Sequence, residues 1–409
     1  MARKAKRDLT IEEQLARGPM DLPFLALVVL LTGIGLIMLL SASFAAAYYD
    51  IEGITGNDPY YYAKRQAGFA QLGFAVMYGV SKINYQRFRW MSLFAMVGSV
   101  LLLVLVITPL GIEVNGAQRW LKLFLVAGPR YQPSEIAKIS IILYFSARLS
   151  KRESQLKAPK QFSKRTTIGR LLTLMQKIGL LELLYYGVIV IVFILLMNEQ
   201  PHMSGIILIL VGAAAVLFAS GIRLYWFIGA GSLVVGALYY IITQTEYMTS
   251  RINAWQDPWS VYYNGGYQVI HSQIAIGSGG LLGLGLGNSQ QKFLYLPEEH
   301  NDFIFAVVCE ELGLVGACII LALFALLIIR GYWIALHARD RFGTLVVVGI
   351  ITLFAVQVFL NIGVVTGLLP TTGISLPFFS YGGTALVIHL AEMGIVLGVS
   401  RQIPAKKEG

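Results

Sequence analysis

The feature that most constrains this chain is the recurrence of apolar runs about as long as a lipid bilayer is thick. Leu22–Leu40, LPFLALVVLLTGIGLIMLL, contains no charged residue. A hydrocarbon core of ~30 Å is crossed by ~20 helical residues. A backbone inside it must satisfy its own hydrogen bonds, which leaves helices or closed barrels. Similar runs give ten expected spans, at 22–43, 66–84, 91–110, 134–150, 179–197, 203–220, 222–242, 302–329, 343–369 and 379–400. The expected fold is therefore an all-α polytopic membrane protein. Only 13% of its 409 residues are charged, about half the ~25% of a soluble domain. The first run follows a polar head, residues 1–21, and no small-residue cleavage pattern comes after it. It is read as a retained span and not a signal peptide.

The net charge of +10 raises the question of nucleic acid. With the N-terminus inside, most Lys and Arg fall in the head 1–21, the turn 82–89, the loop 151–177 and the tail 403–409. That asymmetry places both termini in the cytoplasm and makes the basicity topological. Residues 22–402 form one membrane domain, without a solenoid repeat or inverted halves. Ile168–Ile178 has the pattern of an amphipathic piece lying on anionic lipid. Cys309 and Cys318 stand nine residues apart, on opposing sides of a helix, and suit packing better than a disulfide or a metal.

The segment 243–301 is the long outer loop, and long loops in compact proteins usually carry function. In Tyr267–Ile276, Val269, Ile270 and Ile274 lie near one face, with Gln268, His271 and Ser272 off it, as in a short interfacial helix. Gly277–Gln290, GSGGLLGLGLGNSQ, has neither the dinucleotide nor the P-loop spacing. It reads as a turn-rich or re-entrant connection.

Polar residues at the membrane border carry the chemistry. Glu135 and Lys138 are i, i+3 partners opening the fourth span. They read either as an ion pair easing the helix into the bilayer or, with Arg119, Trp120 and Lys122 of the preceding loop, as a site for a phosphorylated, lipid-linked substrate. Glu310 and Glu311 in the eighth span must face a polar cavity, pair with a cation or be protonated. His389 and Glu392 form a second intramembrane pair. Interhelical hydrogen bonding is the reading preferred for both sets over a proton relay. In Tyr295–Ala306, YLPEEHNDFIFA, Asn301 or Asp302 suits the N-cap of the eighth helix, with Glu298 and Glu299 as rim charges. An acid at such a border can also serve as a general base.

Three stretches carry a family resemblance: NGAQRWLKL with YQPSEIAK (115–138), GYQVIHSQ through VVCEELG (266–313) and LPTTGISLPFFSYGGTALV (369–387). They resemble the shape, elongation, division and sporulation (SEDS) family of RodA, FtsW and SpoVE, in order, over residues 22 to 402. Asn115-Gly116 and Ser41–Ser43 lean toward the FtsW or SpoVE branch. The resemblance implies a peptidoglycan glycosyltransferase polymerising lipid II outside the bacterial cytoplasmic membrane, with a class B penicillin-binding protein as partner. It implies Asp302 as general base, and Arg119, Trp120, Lys122, Glu135, Lys138, Gln268, Lys292, Glu298, His300 and Ser380 as substrate-binding residues. Arg119, Lys122, Lys138, Lys292 or a divalent cation, magnesium or manganese, would hold the pyrophosphate. The chain departs from the family at Glu199–Gly205, where His202 replaces an expected acid. The rival readings are a lipid II flippase and a non-catalytic scaffold.

Overall fold

The computed structural model describes residues 18–50, 53–114, 117–122, 130–151, 179–200, 202–229 and 246–403, with positions 175, 231, 232 and 236. The expected loop 151–177, including the amphipathic piece Ile168–Ile178, falls almost entirely outside them, as do the head 1–17 and the last residues of the tail. The helices are α1 (Leu22–Tyr48), α2 (Tyr61–Lys82), α3 (Gln86–Ile107), α4 (Pro133–Leu149), α5 (Leu180–Asn198), α6 (Met203–Ala219), α7 (Glu246–Gln256), α8 (Gly266–Gly279), α9 (Ile304–Leu336), α10 (Arg341–Val365) and α11 (Gly383–Ser400). Among the described residues six helices, α1, α3, α5, α9, α10 and α11, are long and apolar enough to cross a membrane on their own. Helices α2 and α4 stand at expected spans but carry polar groups, and α6 is short. The seventh expected span is helical over 224–229 and then leaves the described residues, so the count of ten is not reached.

The outer loop before α4 is not helical. It forms a small antiparallel sheet, β1 (Ile112–Val114), β2 (Ala117–Lys122) and β3 (Arg130–Tyr131), in that order. This corrects the all-α expectation locally. A hairpin lets this short polar segment pair its own backbone. Pro133 then opens α4, where its missing N–H is no loss.

Helix α11 packs closely along α2, and α4 packs between α3 and α6. Helix α8 is buried by Val269, Ile270, Ser272 and Ala275, while Ile274 is exposed. The expected interfacial helix is thus a packed one with a different inner face. Ser272 Oγ donates to Val365 O of α10 at 2.7 Å, and helix α8 also packs on α9.

The glycine run after α8 turns into the protein and meets a break in α9 at Gly313, φ 66° and ψ −172°. Four backbone hydrogen bonds cross the break. Leu284 and Gly285 N–H donate to Glu310 and Glu311 O, both at 3.0 Å, and Leu314 and Val315 N–H donate to Gly280 and Leu281 O at 2.9 and 3.1 Å. The two segments therefore satisfy each other's polar groups, as the bilayer requires. A Cβ at Gly313 would stand 2.3 Å from Gly283 N, so only glycine fits.

The two carboxylates beside the break complete the joint. Glu310 accepts from Ser289 Oγ and, at 3.0 Å, from Gln290 N. Glu311 accepts from Ser41 Oγ of α1 at 2.6 Å and from Lys292 Nζ at 2.9 Å. Both are fully buried. They are interhelical and loop-binding groups, in line with the preferred reading.

Removing one partner of a buried pair costs ~3–5 kcal/mol, because the other charge is left uncompensated. Lys292→Met is expected to lower the thermal midpoint of the detergent-purified protein sharply, and Lys292→Met/Glu311→Gln to recover much of the loss. Gly313→Ala should be at least as damaging. Lys64→Met, which breaks the exposed Lys64–Asp58 contact of 2.8 Å, should change the midpoint little.

Candidate active site

Asp302 sits in the last turn before α9, and that turn is fixed by backbone bonds. Asn301 N–H and Phe303 N–H both donate to Glu298 O, at 3.0 and 3.3 Å, and Glu298 takes φ +57° to make this work. The N-cap of α9 is Phe303, without a side-chain cap. This corrects the expectation that Asn301 or Asp302 caps the helix. Asn301 Nδ2 instead donates to Glu298 Oε2 at 2.5 Å, and the Asp302 carboxylate is not spent on the helix end.

The segment 369–382, between α10 and α11, braces this turn from the other side. Tyr381 N–H donates to His300 O at 2.9 Å, Ser380 Oγ to Asn301 O at 2.6 Å, and Asn361 Nδ2 of α10 to both Asp302 O and Ile374 O at 2.7 Å. Gln66 of α2 binds Ser380 O and Gly382 N at 3.1 and 3.3 Å. His300 packs between Tyr62 and Tyr381, with ring centroids 4.7 and 6.1 Å away, and Glu299 Oε1 lies 3.5 Å from its Nδ1. Three consecutive residues, 300 to 302, are therefore held by their backbones while Asp302 projects a half-buried carboxylate.

Among the described residues that carboxylate makes no ion pair. Burial, and then the negative charge of Glu298, push its pKa up from 3.8 to about 7, against the pull of Arg251 and His300. Arg251 of α7 is placed by Nη1 donating to Thr371 O at 2.6 Å. A carboxyl group that ionises near neutrality suits a general base.

A second polar group lies at the N-terminal ends of α4 and α6. Glu135 Oε2 and Lys138 Nζ meet at 2.7 Å, with the lysine side chain 1% exposed. His202, before α6, approaches Gln132 Nε2 at 3.1 Å. Burial and the nearby Arg119 lower its pKa to about 3, so its ring is neutral. Arg119 Nε donates to Gln200 O at 3.1 Å. Residues 371–373 link the two groups. Ser204 Oγ donates to Thr372 O at 2.7 Å, and a Cβ at Gly373 would stand 3.9 Å from Asp302 Oδ2.

The other expected site residues are placed differently. Lys292 is committed to Glu311, Ser41 Oγ (3.0 Å) and Gly287 O (2.6 Å). Its charge is neutralised by Glu311 in the joint. The Ser380 hydroxyl donates to Asn301 O and accepts from Leu376 N at 2.7 Å, so it braces the turn. Gln268 donates to Pro297 O at 3.4 Å. Trp120 pairs across the sheet with Ile112, and the exposed Lys122 lies opposite Arg130. Among the described residues no cluster of three or more His, Cys, Asp or Glu could hold a metal ion. A divalent cation here would take its remaining ligands from substrate phosphates.

Reading the sequence missed Arg251, Asn361 and Gln66. Asn361 left a signal, since an amide in an apolar span usually has a partner. Arg251 left none beyond being a cation in the long loop.

Residues 22–404 match the model of the FtsW, RodA and SpoVE family, described as cell cycle proteins. The chain belongs to this family. A probable peptidoglycan glycosyltransferase FtsW of Geobacter sulfurreducens is 38% identical over 384 residues, 94% of this chain and 95% of that protein. Stage V sporulation protein E of Bacillus subtilis is 38% identical over 383 residues, 93% and 97% of the two chains. Among solved structures, a chain from a study of how a peptidoglycan synthase complex coordinates polymerization and crosslinking superposes with TM-score 0.70 at 26% identity, covering 93% and 98% of the chains. The rod shape determining protein RodA of Thermus thermophilus gives TM-score 0.61 at 26% identity, covering 95% and 98%.

The raised pKa has a consequence for stability. The folded state holds the Asp302 proton up to about 7 and the unfolded state loses it near 3.8, so this residue makes stability fall as pH rises between those values. Asp302→Asn is therefore expected to raise the thermal midpoint at pH 8 and to raise it less at pH 5.

Proposed function

We propose that this chain polymerises lipid II into glycan strands at the outer face of the bacterial cytoplasmic membrane, with Asp302 as the general base. The observation that carries the reading is a carboxylate held by its backbone on two sides, unpaired among the described residues and with its pKa raised to about 7. It stands in a family whose relatives are named peptidoglycan glycosyltransferases.

The sugar hydroxyl of one lipid-linked disaccharide attacks the anomeric carbon of another. The new glycosidic C–O bond forms as the bond from that carbon to undecaprenyl pyrophosphate breaks, with inversion. Asp302 takes the hydroxyl proton. Pyrophosphate leaves without protonation once its charge is held, so one carboxylate suffices. Arg119, Lys122 and Lys138 are the cations suited to hold it. A divalent cation, magnesium or manganese, would add charge at the same phosphates. Two substrates anchored in one membrane gain from proximity. The partner is a class B penicillin-binding protein that cross-links the product. Nucleic acid has no part in it.

Transport of lipid II needs a polar route through the bilayer. Glu310 and Glu311 are consumed by the re-entrant joint and Glu392 by His389, which favours chemistry at the outer face.

Purified protein with its partner is expected to convert lipid II into glycan strands, with an acidic limb near pH 7 set by ionisation of Asp302. Asp302→Asn should lose about 10²–10⁴-fold of the rate, the scale of general-base catalysis, while still folding. Normal polymerisation by Asp302→Asn would remove the base from the mechanism. Loss of dithionite protection of labelled lipid in liposomes, without polymer, would favour the flippase.

A further inference from the structure

The backbone of residues 371–375, beside Asp302, is restrained far more than a covering loop requires. Three of its carbonyls are taken by side chains from three different helices. Arg251 Nη1 of α7 donates to Thr371 O at 2.6 Å, Ser204 Oγ of α6 to Thr372 O at 2.7 Å, and Asn361 Nδ2 of α10 to Ile374 O at 2.7 Å. Ile374 and Leu376 anchor the segment in the core, at 4% and 1% exposure, while Gly373 is exposed and Ser375 half-buried. The reaction as described uses none of these backbone groups.

The planar trans peptide fixes what this restraint does to the N–H groups. Within one peptide plane the C=O of a residue and the N–H of the next point in opposite directions. Holding Thr371 O, Thr372 O and Ile374 O therefore turns the N–H groups of Thr372, Gly373 and Ser375 away from Arg251, Ser204 and Asn361. Among the described residues none of these three N–H groups forms a hydrogen bond. Backbone donors are obligatory hydrogen-bonding groups, so this edge is satisfied by water or by a ligand.

Gly373 brings the edge to the base. Its φ of +69° is a conformation that glycine adopts without a Cβ penalty, and a Cβ there would stand 3.9 Å from Asp302 Oδ2. Because the residue is exposed, bare backbone borders the space next to the carboxylate. The amide that holds Ile374 O also holds Asp302 O at 2.7 Å, so one side chain sets the edge and the base relative to each other.

An edge of N–H groups whose neighbouring carbonyls are spent offers donors, and donors select lone-pair oxygens. The attacking hydroxyl on the acceptor sugar is flanked by two kinds of these, a neighbouring ring hydroxyl and an acetamido carbonyl. We infer that the main-chain N–H groups of Thr372, Gly373 and Ser375 form the acceptor subsite, donating to the oxygens that flank the attacking hydroxyl, and that Ser204, Arg251 and Asn361 are positioning residues that aim them. This rests on the glycosyltransfer reading above. A donor edge fixed before binding loses little freedom when the sugar arrives. It governs the acceptor, and the donor pyrophosphate is held by the cations already assigned to it.

The test measures the two substrates apart, in protein purified with its partner. The donor is a lipid-linked disaccharide whose own attacking hydroxyl is blocked, and lipid II is varied as acceptor. Ser204→Ala releases Thr372 O and is expected to raise the acceptor KM about fivefold, the scale of one neutral hydrogen bond. The donor KM and kcat should stay within about twofold. Ser204→Thr, which keeps the hydroxyl, should restore the acceptor KM. Gly373→Ala keeps the N–H but sets a methyl group toward Asp302 Oδ2, and should raise the acceptor KM further. Acceptor analogues lacking the neighbouring hydroxyl or the acetamido carbonyl then identify the oxygen. The matching analogue raises KM in wild type and adds nothing in Ser204→Ala. The wild-type arm carries the test if neither variant folds. Equal rises of both KM values, an unchanged acceptor KM in folded Ser204→Ala, or analogues that cost wild type nothing would overturn the inference. A wild type that makes no glycan removes the glycosyltransfer reading and this inference together. An active wild type with an unaltered Ser204→Ala removes this inference alone.

Discussion

The structure depends on how one broken helix satisfies its backbone inside a bilayer. Helix α9 opens at Gly313, and the N–H and C=O groups freed there would each be expensive in hydrocarbon. The glycine-rich segment after α8 supplies their partners. Glu310 and Glu311 extend the same exchange to Ser289, Gln290 and Lys292, and Glu311 reaches α1 through Ser41. Only glycine can approach so closely, and only a paired lysine can stand so deep. The joint fixes both ends of residues 292–303, and so the height at which Asp302 emerges.

Above that joint the polar residues divide by what they are paired with. Those consumed internally, Glu310, Glu311 and Lys292, are structural. Lys138 Nζ and His389 Nε2 are buried with unused hydrogen-bonding capacity, and the Asp302 carboxylate makes no ion pair among the described residues. The division follows from cost. An internally satisfied pair can be sealed in apolar surroundings, whereas an incompletely satisfied one is tolerated where a substrate or water completes it. Segment 369–382 does the joining, since its backbone meets Arg251, Ser204, Asn361, Ser380 and the 300–302 turn.

Phe303-Ile304-Phe305 after Asp302 marked an acid at a water–lipid border, and the family resemblance singled that acid out as the base. Its freedom from the helix cap was not legible, since either Asn301 or Asp302 satisfies the capping preference equally well. Lys292 shows the reverse. As a cation in the outer loop it reads as a phosphate ligand, and only its distance to Glu311 shows that the charge is spent. Ser380 stood as a substrate contact only through the family resemblance, and its hydroxyl is used twice by backbone. Glu135 and Lys138 needed no tertiary information to meet, because i, i+3 spacing on one helix brings them together.

By itself, the sequence determined the membrane class, the positions of most helices, the glycine-rich connection and the family. Apolar run length, helical spacing and motif order are local properties, and local physics is sufficient to read them. Only the tertiary structure decided which charges neutralise each other, that Ile112–Val114, Ala117–Lys122 and Arg130–Tyr131 make a sheet, and that the segment 371–382 meets the turn that carries Asp302. Those are contacts that no helical or strand period along the chain dictates. Their energy depends on burial and distance, and neither is written in the order of residues along the chain.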